Sequence, residues 1–166
     1  MDALADTRRW MEEFVLALDL CPFARAPWRA GRVRLVESRA ASEDEVLAEL
    51  LHEISLLTGG PDPDTTLLVI PHLLSDAEDL LDLVAAGEEL LERLDLDSDV
   101  QLVGFHPAYC FDDAAADDPA HATNRSPHPT IHLLRQDQVS RAIDGHPDID
   151  AIARRNMALL RARAEE

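Results

Sequence analysis

Three short stretches of this sequence carry the side chains able to do chemistry. Cys21-Pro22-Phe23 offers a thiol, a nucleophile or soft metal ligand. Gly104-Phe105-His106-Pro107-Ala108-Tyr109 sets an imidazole, the group that titrates near neutrality, close to a phenol. Asn124-Arg125-Ser126-Pro127-His128-Pro129 is held extended, because a residue before proline avoids the helical region, and that presents Arg125 rigidly. With Arg135 downstream and Arg25, Arg29, Arg32 and Arg34 upstream, guanidinium groups are available to converge on a carboxylate or phosphate. Asn156 falls on the apolar stripe Ile149, Ile152, Leu159 and Leu160, where an amide needs a partner, either a loop backbone or a ligand.

Other chemistries are excluded or left without a pattern. All fifteen cations are arginine, so a Schiff base, covalent pyridoxal phosphate and a P-loop lysine are ruled out. No GxSxG elbow occurs, and six glycines form no nucleotide-cradling loop. Cys21, His106, Cys110, His121, His128 and His132 include metal-ligating types, but CxxC, HExxH and HxH spacings are absent, so no metal ligand is assigned and no cofactor is indicated. Cys21 ends a helix rather than starting one, which suits a small buried hydrophobe unless nearby arginines fold back to stabilise a thiolate. His72 and His146 read as loop and solvated histidines.

The 166 residues, 46% hydrophobic and 29% charged, suffice for one globular domain over residues 1–166. A net charge of −18 argues against nucleic acid as a partner. No apolar stretch approaches a membrane span and no leader pattern opens the chain, so the expected address is cytoplasmic, with both cysteines as thiols. Residues 1–40 hold seven arginines against six acids, 41–100 one against seventeen, and 101–166 seven against ten. The acidity is concentrated in the middle.

The elements that must position these groups follow from periodicity. A helix is expected over about Asp2–Asp19, a short edge strand around Val33–Leu35, and a helix opened by the capping box Ser42/Glu45 and stopped at Gly59-Gly60. Leu67–Ile70 reads as a strand covered on both faces, and Ser75/Glu78 as a second capping box for an acidic amphipathic helix. Val100–Phe105 and Thr130–Arg135 complete the strands, separated by 24 residues from His106 to Pro129 without a period. A helix over Gln136–Ile143 and another from Pro147 to about Arg163 follow. Alternating strands and helices predict an α/β single-domain sandwich with a small, mostly parallel sheet of about four strands packed by helices.

Trp10, Cys21-Pro22-Phe23-Ala24, Phe105-His106-Pro107 with Tyr109, Asn124-Arg125-Ser126-Pro127 with Pro129, Leu134-Arg135 and Arg155-Asn156, in that order, resemble the bacterial family DUF1415, a domain of unknown function. The resemblance runs from Trp10 to Asn156 and implies no reaction. Its motifs coincide with the groups picked out above, whereas Cys110 and His72 fall outside them. The expectation is an enzyme acting on a small anionic metabolite, with Cys21 as nucleophile and His106 as general acid or base. Tyr109, Asn124, Arg125, Arg135 and Asn156 would contact substrate. The alternatives are a Cys/His metal-binding protein and a non-catalytic ligand-binding or interaction domain.

Overall fold

The structure, a computed structural model, describes residues 2–145 and 148–165, so His146 and the helix-starting Pro147 lie outside the described residues. Asp2 opens α1 (Ala3–Trp10) by accepting the Ala5 N–H at 2.9 Å. The expected single helix to Asp19 changes type at Met11, where Met11–Leu16 forms a π-helix. Its wider turn persists to Leu20, whose N–H bonds the Val15 carbonyl five residues back. A short helix that periodicity did not reveal, α2 (Arg25–Arg29), leads into β1 (Val33–Glu37).

Ser42 caps α3 (Glu43–Thr58) as expected, its Oγ accepting the Glu45 N–H, while the Glu45 carboxylate accepts the Ala41 N–H, one residue before the N–H that a full capping box uses. After β2 (Thr65–Val69) comes α4 (Ala77–Arg93), whose N-cap is Asp76; Ser75 lies one residue too early, and the second box does not form. Then follow β3 (Val100–Phe105), a 3₁₀ helix (Pro119–Asn124), β4 (Thr130–Arg135), α5 (Gln136–Gly145) and α6 (Ile149–Ala164).

The fold is α/β with one four-stranded sheet in the order β1-β2-β4-β3. The sheet is mixed rather than mostly parallel: β1 pairs parallel with β2, while β4 pairs antiparallel with both β2 and β3. The reason lies in the connections. Helices α3 and α4 carry the chain back so that β1, β2 and β3 run one way, but no crossover helix lies between β3 and β4. Phe105 faces Thr130 across the ladder, so residues 106–129 form an enlarged hairpin connection and β4 returns in reverse between β2 and β3.

The pleat sends Leu68, Leu102, Ile131 and Leu133 to one face, where Leu50, Ile54 and Leu57 of α3 and Leu80 and Leu91 of α4 cover them. Close approach needs Gly87, since a Cβ there would meet Leu102 and Leu50 methyl carbons at 2.8 Å. On the opposite face Val33, Leu35 and Leu67 pack against Met11 and Val15 of the π-helix, backed by Trp10, Phe14, Cys21 and Trp28.

Candidate functional site

The residues singled out from sequence occupy three separate places. His106, Tyr109, Asn124 and Arg125 meet at the root of the 106–129 connection, joined through backbone. The His106 N–H donates to the Asn124 carbonyl, Tyr109 N–H to the His106 carbonyl, and Arg125 Nε to the Tyr109 carbonyl at 2.8 Å. His106 is buried, and both ring nitrogens are engaged: Nδ1 accepts the Ala108 N–H at 3.0 Å, so Nε2 carries the proton and donates to the Leu74 carbonyl at 2.9 Å. His121 repeats this device on Phe111 N–H and the Ala115 carbonyl. The stretch without a period is thus pinned by imidazoles.

Arg135 sits at the far end of β4, where its guanidinium holds the Gly60 and Pro63 carbonyls. Arg32 grips the same turn through the Pro61 carbonyl and Asp64. Cys21 and Asn156 form the third place. Asn156 Nδ2 donates to the Leu20 carbonyl at 2.7 Å, while Arg155 takes the Leu18 and Asp19 carbonyls and Arg25 the Leu16 carbonyl. These groups satisfy the carbonyls left open where the π-helix ends. Burial pushes the Cys21 thiol up, although the Phe23 and Ala24 amides pull it down. No hydrogen bond joins Cys21 to His106 among the described residues.

A groove gathers a different set. Asp6, Arg9, Trp10, Glu13 and Phe14 recur at one-turn spacing along α1 and the π-helix, and with Pro127 they line an open space of about 410 Å³. The stretch expected to be extended begins inside the 3₁₀ helix, which ends at Asn124, and bends at Pro127-His128; Pro127 is placed by the loop 125–129, whose His128 carbonyl accepts from both Ser126 Oγ at 2.6 Å and Thr130 Oγ1 at 2.8 Å. Behind the groove, His128 Nε2 lies 3.1 Å from Asp6 Oδ2, and Arg9 Nη1 lies 3.7 Å from Asp6 Oδ1. A carboxylate on Nε2 fixes the proton there, and Nδ1 has no partner among the described residues. Trp10 packs edge-on against Phe105 with centroids 5.6 Å apart, and its buried Nε1 has no acceptor among the described residues.

Beneath Phe105 lies His132, its ring centroid 6.3 Å away. Its Nε2 donates to Thr65 Oγ1 at 2.6 Å, since that hydroxyl gives its own proton to the Leu133 carbonyl. Burial holds the His132 imidazole down to about 4, so it is neutral and structural at pH 7.

Sequence reasoning missed Asp6, Arg9, Glu13 and Phe14 as site residues, and took Trp10 only as a family marker and His128 only as a metal-ligand type. The signal was a second stripe beside the buried one, but nothing in one sequence marks a solvated helix face as a groove wall. Among the described residues no three His, Cys, Asp or Glu side chains gather as a metal site would require. No helix among them is long and apolar enough to cross a membrane.

A mixed α/β sheet with helices on both faces, and a groove along its first helix, defines the class. The chain belongs to the family described as "Protein of unknown function (DUF1415)", which matches residues 2–166. Neither the curated proteins nor the solved structures give a match.

Proposed function

We propose that this chain binds and acts on a small anionic metabolite in the groove between the first helix and Pro127 of the loop 125–129. Arg9 meets the anion, Trp10, Phe14 and Pro127 hold the apolar body, and the Asp6–His128 pair moves a proton. The observation that carries this reading is an exposed guanidinium and an aromatic wall at one groove, whose Asp6 carboxylate is paired with the buried His128 imidazole behind it. Support at the arginines and histidine expected from sequence is weaker. Arg125 and Arg135 spend donors on backbone carbonyls, and His106 has no free ring nitrogen. The reading includes a cytoplasmic bacterial protein whose free thiols stay reduced and whose net charge of −18 keeps it from nucleic acid.

The test is a panel of small carboxylates and phosphates screened for thermal stabilisation of the parent protein, Arg9→Gln and Asp6→Asn. A ligand that stabilises the parent and loses its effect in Arg9→Gln is the expected result. Stabilisation that survives Arg9→Gln but vanishes in Arg125→Gln would return the anion site to the loop root.

A further inference from the structure

The polar groups on the groove's helix alternate in sign. Asp6, Arg9 and Glu13 follow one another at one-turn intervals, with Trp10 and Phe14 beside them and Pro127 across the gap. Asp6 is already engaged, bound to His128 and flanked by Arg9. Arg9 stands four residues before Glu13, a spacing at which opposite charges on a helix are neighbours. Arg9 nevertheless turns back to Asp6, at a long 3.7 Å and with 63% of its side chain exposed. Glu13 has no ion pair among the described residues and is exposed. One wall of the groove therefore carries an exposed cation held only by a long contact to Asp6 and an exposed anion without an ion pair among the described residues, with two aromatic rings in the same lining.

A purely anionic ligand would satisfy Arg9 and face Glu13 with like charge. A purely cationic one would do the reverse. Resting on the groove reading above, we infer that the ligand is a zwitterion with an apolar body, of the α-amino acid type. Its carboxylate lies on Arg9, its ammonium on Glu13, and its side chain against Trp10, Phe14 and Pro127.

Three probes with the same ring separate the alternatives: phenylalanine carries both charges, 3-phenylpropionate only the anion, and 2-phenylethylamine only the cation. Each is titrated into the full chain by calorimetry, with tryptophan fluorescence as a second readout, and again into Arg9→Gln and Glu13→Gln. Both substitutions fall on exposed or partly exposed positions that leave the core untouched. Phenylalanine is expected to bind tighter than either half-probe by about five-fold, the equivalent of one exposed ion pair. Either substitution should remove that advantage, and Glu13→Gln should bring phenylalanine and 3-phenylpropionate together.

If 3-phenylpropionate binds as well as phenylalanine and only Arg9→Gln weakens both, the zwitterion is overturned while the anion groove stands. Saturable binding by none of the three overturns the zwitterion as well. The groove reading falls with it only if the wider anion panel also shows no Arg9-dependent stabilisation.

Discussion

The two faces of the sheet are built on different principles. Under α3 and α4 the core is a continuous aliphatic layer, and the two helices carry eleven acids against one arginine. Under α1, the π-helix and α2 the apolar cluster is small, and Thr7, His128 and Asn156 are polar side chains buried beside it. Helix α6 lies against the 3₁₀ helix, and Arg161 ties it to Asp118 at 2.7 Å. One face is held by area removed from water, the other by side chains that grip carbonyls and amides of irregular backbone. That difference separates two jobs: the aliphatic layer fixes the sheet, and the stitched layer shapes a loop, a π-turn and a groove.

The largest effect expected from any single change is on the aliphatic face. Leu50 is fully buried between α4 and the sheet, so Leu50→Ala should cost about 3–5 kcal/mol through lost transfer energy and a cavity. Urea unfolding would show a lower midpoint at unchanged slope, with groove ligands binding the remaining folded protein as before. Lost ligand affinity in that variant would mean the faces are coupled, and the division drawn above would fail.

Next in size is a pH effect confined to the stitched face. His132 takes up its proton near 6.5 in the unfolded chain but only near 4 in the fold. Between those values the unfolded state binds more protons, so stability is complete above pH 6.5 and falls as the pH drops towards 4, by about 3 kcal/mol. Further loss at still lower pH would come from Asp64 and Asp118, whose carboxyls are held below the ordinary range by hydrogen bonds from Arg32 and Arg161. Denaturation midpoints at pH 7.5, 6 and 4.5 should slope in the parent and flatten in His132→Gln. An equal slope in both would show that another group on that face titrates instead.

This contrast also governs how much could be seen in the sequence. The aliphatic face was legible because period and capping are local: Ser42 caps α3 as expected, and the run Leu67–Ile70 is buried throughout. The reversed β4 was not read, although a long connection without a helix is what a hairpin return looks like. The side chains that clamp irregular backbone were legible only as residue types. His106, Arg125, Arg135 and Asn156 were singled out because they are strong hydrogen-bonding groups, but a side chain that clamps a distant backbone has the same sequence signature as one that binds a ligand. The π-helix had no readable signal, because its bonds differ from those of an α-helix by one residue in register.

Arg135→Gln tests that ambiguity with a smaller expected effect. Loss of the grip on the Gly60 and Pro63 carbonyls should cost about 1–2 kcal/mol and raise amide exchange in the turn around residues 59–64. Affinity for any groove anion should stay the same, since Arg135 lies at the opposite end of β4 from Phe105 and Trp10. A fall in anion affinity without local loosening would restore Arg135 as a binding residue.

The smallest perturbation leaves stability alone and compares the two thiols. Cys110 is exposed, with the Arg125 guanidinium 3.3 Å from its sulfur, while Cys21 is half-buried in the apolar cluster with its thiol pushed up by burial. Only the thiolate attacks an alkylating reagent, so burial slows Cys21 twice, by restricting access and by reducing the ionised fraction. Under native conditions at pH 7.5, iodoacetamide should modify Cys110 first, with Cys21 following at least about ten-fold more slowly and catching up in denaturant. Peptide mapping over a time course reads both sites in one sample. If Cys21 reacts first, the turn after the π-helix activates its sulfur despite burial, and the nucleophile expected from Cys21-Pro22-Phe23 would displace the Asp6–His128 pair as the leading chemical group on that face.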